Sequence, residues 1–166
     1  MARRFRGEYT QKVDGKGRVS IPSRYRRVIE SGDPDWVEGK PAEFVIVYGD
    51  ESQQYLECYT IDSMDELEDK IAKLPNGPDR TYMIDRYQAF SLEMSVDETG
   101  RIVLSKKLRD KLDIDEEAYF IAQGACFQVW KPEAYDRIKK AKIEAYLAEK
   151  PEDFDPLTLL NDVRSE

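Results

Sequence analysis

The chain has 166 residues, 26 basic and 34 acidic, with no histidine and two cysteines. That length suits one domain or two small ones, and the charge-rich composition suits a globular protein. Without histidine there is no Ser-His-Asp or Cys-His nucleophile and no His-ligated metal; Cys58 and Cys126 form no CxxC pair and are expected as small core residues of a reducing compartment.

The charge is unevenly distributed. Residues 1–27 hold nine basic and two acidic side chains, a net +7, while the remainder holds 17 basic and 32 acidic, a net −15. The formal −8 is therefore an average over a basic arm and an acidic body, and the arm suits a polyanion. No run approaches the roughly 20 apolar residues that span a bilayer. No leader is expected, and the expected location is the cytoplasm.

An internal repeat organises the chain. Val13-Asp14-Gly15-Lys16-Gly17-Arg18-Val19-Ser20-Ile21 returns as Val96-Asp97-Glu98-Thr99-Gly100-Arg101-Ile102-Val103-Leu104 at an offset of 83, and Tyr25-Arg26 falls opposite Leu108-Arg109. Leu56-Glu57-Cys58-Tyr59 matches Phe127-Gln128-Val129-Trp130 at an offset of 71, so the first copy carries 12 extra residues. The turn-rich segment Ser31–Pro41 is expected to hold them.

In chain order, each copy opens with an alternating strand, at Tyr9, Gln11 and Val13 and again at Leu92, Met94 and Val96. A tight turn follows at Asp14-Gly15 and at Asp97-Glu98; Asp-Gly suits a type I′ hairpin turn. A second strand runs Arg18–Ile21 or Arg101–Leu104. A short helix follows, Arg24–Ile29 behind Pro22, or Lys106–Leu112. Two strands close each copy: Phe44–Tyr48 with Tyr55–Tyr59, and Ala118–Ala122 with Phe127–Trp130. A helix Met64–Leu74 is expected to open on the capping box Ser63-x-x-Glu66. Pro75-Asn76-Gly77-Pro78 precedes a linker helix over Arg80–Gln88. A last helix runs from Pro132 to about Glu149, before an acidic tail to Glu166 whose Leu157, Leu159 and Leu160 suit docking on a neighbour. Copies with so little core of their own are expected to pack as an internal pseudo-dimer about an approximate two-fold axis. The domains are therefore set at 8–63, 64–90 (a helical linker), 91–134 and 135–166 (helix and tail).

The chemistry concentrates in Asp14-x-x-x-Arg18. Lys16 and Arg18 project from a hairpin tip, and Asp14 can cap the turn or orient Arg18. Arginine suits bidentate contact with phosphate or guanine, and a two-stranded ribbon fits the major groove. Asp97 and Arg101 repeat the pattern, with Glu98 and Thr99 in place of Gly15 and Lys16. The weakest class is an enzyme: Gly15-Lys16-Gly17 is no dinucleotide fingerprint, and Gly39-Lys40-Pro41 is no phosphate loop.

Phe5-Arg6-Gly7-Glu8-Tyr9, followed by Asp14-x-Lys16-Gly17-Arg18-Val19-Ser20-Ile21-Pro22-x-x-Tyr25-Arg26 and the second Asp97-x-x-Gly100-Arg101, resembles the MraZ family from about Phe5 to beyond Trp130. The resemblance implies an α+β fold of two SpoVT/AbrB-like half-barrels closed as one pseudo-dimeric β-barrel. It implies a nucleoid-associated repressor that assembles as a homo-oligomeric ring. Its partner would be double-stranded DNA carrying short tandem repeats upstream of its own gene, in the division and cell-wall cluster. No cofactor, small-molecule substrate or membrane partner is implied. Carried onto this sequence, the DNA-contacting set is Asp14, Lys16 and Arg18, then Asp97 and Arg101; Arg6 belongs to the same basic arm, and Lys16, Arg24, Arg26 and Arg27 are expected to meet phosphates unless the helix bearing the last three packs internally. An AbrB-like module whose basic arm binds a protein, as an antitoxin binds a toxin, is the competing expectation.

Overall fold

Alternation within the strands decides which faces are buried, and the order of the strands decides which copy buries them. The structure is a computed structural model and describes residues 3–161; positions 162–166 of the expected acidic tail lie outside the described residues. Among the described residues, eight strands form: β1 (Glu8–Lys12), β2 (Arg18–Ser20), β3 (Glu43–Val47), β4 (Leu56–Thr60), β5 (Ser91–Ser95), β6 (Arg101–Val103), β7 (Glu117–Gln123) and β8 (Cys126–Trp130). They make a six-stranded antiparallel sheet, ordered β1-β7-β8-β4-β3-β5, and a two-stranded ribbon of β2 and β6.

That order is a palindrome. Exchanging the copies converts β1 to β5, β7 to β3 and β8 to β4, and returns the same sheet read backwards. Leu56 pairs with Val129 and Cys58 with Phe127, so the pseudo-axis passes through the Glu57–Gln128 pair. In the ribbon it passes through Val19–Ile102. The first strand of each copy pairs with the third strand of the other, β1 with β7 and β5 with β3. The sheet's two edge strands then turn into the two strands of the ribbon, and in this sense the half-barrels close on one another in an α+β fold.

One apolar core fills the space between sheet and ribbon. It contains Val19, Ile21, Tyr25 and Phe44 from the first copy and Ile102, Leu104, Leu108, Phe120 and Phe127 from the second. Its centre is aromatic: the Phe127 ring lies 4.8 Å from Tyr25 and 5.0 Å from Phe5. The Tyr25 hydroxyl donates to the Gly7 carbonyl at 2.6 Å, which satisfies the polar tip of a fully buried ring.

The helices follow local chemistry. In α1 (Ser23–Ser31), Tyr25, Val28 and Ile29 face the core at helical spacing. Next, α2 (Ile61–Ala72) is capped by Thr60, whose Oγ1 accepts the Ser63 amide at 3.1 Å. The expected Ser63 cap is thus displaced by three residues, because the chain turns into helix directly from β4. Met64 of α2 packs on Val45 and Val47, on the sheet face away from the main core. The linker helix α3 (Pro78–Ile84) runs into a π-helical turn, Asp85–Ala89. Its Tyr82 hydroxyl donates to Asp50 Oδ2 at 2.9 Å, tying the linker to the β3–β4 loop. In α4 (Lys106–Leu112), Ser105 is the cap.

Two further expectations are corrected. Glu43 and Glu117 hold matching places, opposite Ser95 and Lys12 respectively, an offset of 74. Nine of the 12 extra residues therefore lie between α1 and β3, and three lie in the β3–β4 hairpin. Nor is the turn type I′. Gly17 N–H donates to Asp14 O at 2.9 Å, and the positive φ sits at Gly17 (85°) and Gly100 (79°) rather than at Gly15. This is a three-residue hairpin loop closed by a glycine bulge.

The described residues fall into two compact units, one ending at Pro132 and one beginning at Glu133. The second contains a π-helical turn (Tyr135–Lys140), a helix (Ala141–Ala148) and a 3₁₀ turn (Pro156–Leu160). Lys150 Nζ lies over the Tyr146 ring at 4.8 Å. Leu147, Leu157 and Leu160 are exposed there. Among the described residues, no helix is long and apolar enough to cross a membrane.

Phe127→Ala should cost about 3–5 kcal/mol, since it removes the ring on which the aromatic core converges and leaves a cavity. Urea unfolding monitored by near-ultraviolet circular dichroism measures it, and a loss under 1 kcal/mol contradicts a single shared core.

Candidate nucleic-acid interface

Burial of Val19 and Ile102 fixes the ribbon's outer face. Successive strand residues point to opposite sides, so with these two inward, Arg18, Ser20, Arg101 and Val103 point out and are exposed. Arg18 stands opposite Val103 and Ser20 opposite Arg101. Two arginines from the two copies thus share one small exposed face, flanked by both turns. The approximate two-fold expected from the repeat already brings the two turns near one another, and the β2–β6 pairing adds the register that puts both arginines on one face.

The first turn is built around one carboxylate. Asp14 Oδ1 accepts the Lys16 and Arg18 amides, each at 2.9 Å, and Oδ2 accepts Arg18 Nε at 2.6 Å. The guanidinium is therefore held by Nε, and among the described residues its two terminal nitrogens have no hydrogen-bond partner. The Arg18 side chain is 45% exposed, so it is oriented without being covered. These donors push the Asp14 carboxyl down to about 2, the Arg18 amide contributing most and the guanidinium next.

The second turn repeats the backbone and changes the chemistry. Asp97 Oδ1 accepts the Thr99 amide, the Thr99 hydroxyl and the Arg101 amide, at 2.9, 2.8 and 2.9 Å. Among the described residues, Asp97 makes no ion pair with the Arg101 side chain, so Arg101 is not aimed as Arg18 is. The Asp97 carboxyl is also lowered, first by the Arg101 amide and then by the Thr99 hydroxyl.

The other basic residues divide. Arg6, Lys16, Arg24 and Arg27 are exposed. Arg26 is half-buried, with its guanidinium against Gly100 of the other copy: a Cβ there would meet Arg26 Cζ at 2.7 Å. At Arg26 the internal packing that was the alternative expectation for its helix is the one found. Arg109 occupies the matching place beside Gly17; its alignment with Arg26 in the repeat was the available signal. Val103, 50% exposed beside Arg18, is a further member of the face that the sequence reading did not single out.

Comparison with known proteins agrees with the repeat. The family model described as "MraZ protein, putative antitoxin-like" matches residues 4–87 and 90–155. A protein of Ruegeria sp. (strain TM1040) named transcriptional regulator MraZ is 53% identical over 162 residues, covering 97% of each chain. A protein of the same name from Cereibacter sphaeroides is 46% identical over 170 residues, covering 98% of each. One from Rhodospirillum rubrum is 30% identical over 144 residues, covering 85% of this chain and 88% of its own.

The Asp14 geometry makes a titration prediction. A carboxyl whose folded pKa lies below its unfolded value contributes stability above the unfolded value, and that contribution is lost as pH falls from about 3.8 toward about 2. Carboxyl-detected NMR should give an Asp14 midpoint near 2. In Arg18→Ala the midpoint should rise but stay below 3.8, because the two backbone donors remain. A wild-type midpoint at the ordinary value would show that the turn is not organised around Asp14.

Proposed function

The chain belongs to the MraZ family, and from that premise we propose that it is a transcriptional regulator that binds double-stranded DNA through the outer face of the β2–β6 ribbon. One observation carries the proposal: the exposed Arg18 is aimed outward by a carboxylate four residues before it, on a ribbon narrow enough for the major groove. In the proposed complex the terminal nitrogens of Arg18 bind guanine O6 and N7, the commonest specific contact in that groove. Arg6, Lys16, Arg24 and Arg27 meet phosphates, which set affinity and register without reading sequence. Arg101 is a weaker second contact, with Glu98 of its turn opposing the DNA. Arg26 is left out of the phosphate set because its guanidinium is engaged inside the fold.

The family resemblance extends the proposal to a repressor acting on tandem repeats upstream of its own gene. A homo-oligomeric ring would present several ribbons at fixed spacing, so that weak single contacts add through effective concentration. The acidic remainder, −15 against +7 for residues 1–27, disfavours DNA contact outside the basic arm.

Mobility shifts on DNA upstream of its own gene test this. With about four phosphates engaged per ribbon, the logarithm of the affinity should fall with log salt at a slope near −3.6, steeper if several ribbons bind. Arg18→Ala should cost about 1–3 kcal/mol and blur the preference for the repeats over scrambled DNA. Unchanged discrimination in that variant would overturn the assignment of Arg18. A protein complex that persists at salt where every DNA complex is lost would favour the antitoxin-like alternative.

A further inference from the structure

Each turn is held by the other copy. The Gly17 carbonyl, at the base of the first turn, accepts the Leu104 amide at 2.8 Å, and the Leu104 carbonyl accepts Arg109 Nη1 at 2.8 Å. Arg109 lies on α4 of the second copy. A side chain at Gly17 would fall on Arg109 Nη1 and on the Leu104 carbonyl, so the guanidinium packs directly against the turn's backbone. The arrangement is mirrored: the Ile21 amide donates to the Gly100 carbonyl at 2.9 Å, and Arg26 of α1 packs against Gly100.

The mirror is imperfect in one respect. Arg109 closes a bridge from its helix through Leu104 to Gly17, and Gly17 immediately precedes Arg18. Among the described residues, Arg26 makes no matching bond to the Ile21 carbonyl, and its Nε is buried without a hydrogen-bond partner. The better-held turn is the one that carries Lys16 and the oriented Arg18. It is held from the copy whose own turn carries Glu98 and Thr99.

We propose that Arg109 is the positioning residue for Arg18: the second copy contributes to DNA recognition by fixing the first copy's turn through α4, more than by touching DNA with its own turn. This rests on the DNA-binding role of Arg18 proposed above. The chemistry suits arginine and not lysine. A planar fork can bond Leu104 with one nitrogen while its flat face lies on the glycine, whereas an ammonium offers a single point. A side chain at Gly17 is also costly, since its φ of 85° strains any other residue and a Cβ would fall on the Leu104 carbonyl.

The experiment is a double-mutant cycle of Arg109→Gln and Arg18→Ala, with the whole chain, read in two ways. Without DNA, hydrogen exchange follows the Lys16 and Arg18 amides, both bonded to Asp14. With DNA, the ratio of affinities for the upstream repeats and for a scrambled duplex is measured. In Arg109→Gln, exchange at those two amides should rise about tenfold or more relative to β4 and β8 amides. The affinity ratio should fall to that of Arg18→Ala, and the double variant should lose nothing further, as for residues acting in one path. Scrambled-duplex affinity should be unchanged. If Arg109→Gln does not fold, Arg109→Lys is measured in its place, with the same expected exchange and ratio. Full additivity of the two substitutions, or turn amides as protected as in wild type, would overturn the proposal. If wild-type protein binds neither duplex, the DNA-binding role fails by itself, and the exchange at Lys16 and Arg18 still decides whether Arg109 holds the turn.

Discussion

A copy with four short strands cannot cover its own apolar face, and the structure depends on how that is solved. A strand pair alone is marginal in water; three or more strands with a covered face are needed. Here each copy lends its first strand to the other, β1 to β7 and β5 to β3. After that exchange, each chain segment must leave the edge of the sheet and return over the core as one strand of the ribbon. The five residues Asp14–Arg18 and Asp97–Arg101 are where it does so. The backbone of those turns, including the positive φ at Gly17 and Gly100, is therefore required by packing before any ligand is considered.

The same exchange makes the ribbon a rigid platform. Val19 and Ile102 are almost wholly buried beneath it, and rotating either outward would expose core on both copies. Arg18 and Arg101 are thus held outward by the alternation that buries their neighbours. Asp14 then removes much of the remaining freedom of Arg18. Side chains ordered beforehand lose less on binding, by roughly 0.5–1.5 kcal/mol for each long side chain. The carboxylate of the Asp-x-x-x-Arg pattern acts through this economy in the proposed complex: it lies beside a polyanion, yet its charge is absorbed by three donors from its own turn.

The repeat, the eight strands and the outward arginines were legible in the sequence because each is a local signal, either an offset or an alternation of period two. The identity of the pairing strands was not. Alternation at Tyr9 and Gln11 says which side chains face inward, but it carries no label for Phe120 and Ala118 opposite them. The split of the extra residues into nine and three needed that register, because the β3–β4 hairpin has no match in motif. Thr60 was missed as the helix cap because it is also the last strand residue, and Ser63-x-x-Glu66 imitates a cap one turn later. For Arg26 a basic run suits phosphate contact and internal packing of its helix alike, and nothing local chooses between them. Its partner, Gly100, is distant in sequence and brought near only by the two-fold packing.

Most positions at which the two copies agree serve packing, and Asp14/Asp97 and Arg18/Arg101 are the shared positions on the exposed side. Val13 and Val96, Gly17 and Gly100, Val19 and Ile102, Tyr25 and Leu108, Arg26 and Arg109 form the interlock: buried apolar pairs, glycines without room for a side chain, and the arginines packed on them. The copies differ on the exposed side, with Gly15-Lys16 against Glu98-Thr99, and Ser20 against Val103. A duplicated Asp-x-x-x-Arg is thus first a signature of how the fold closes. In the proposed complex it serves recognition chiefly in the copy whose turn is basic and whose arginine the carboxylate holds. The pseudo-symmetric scaffold consequently presents an asymmetric face, with Arg18 opposite a valine and Arg101 opposite a serine. In the proposed complex such a face would distinguish the two directions along a duplex, as a true two-fold would not.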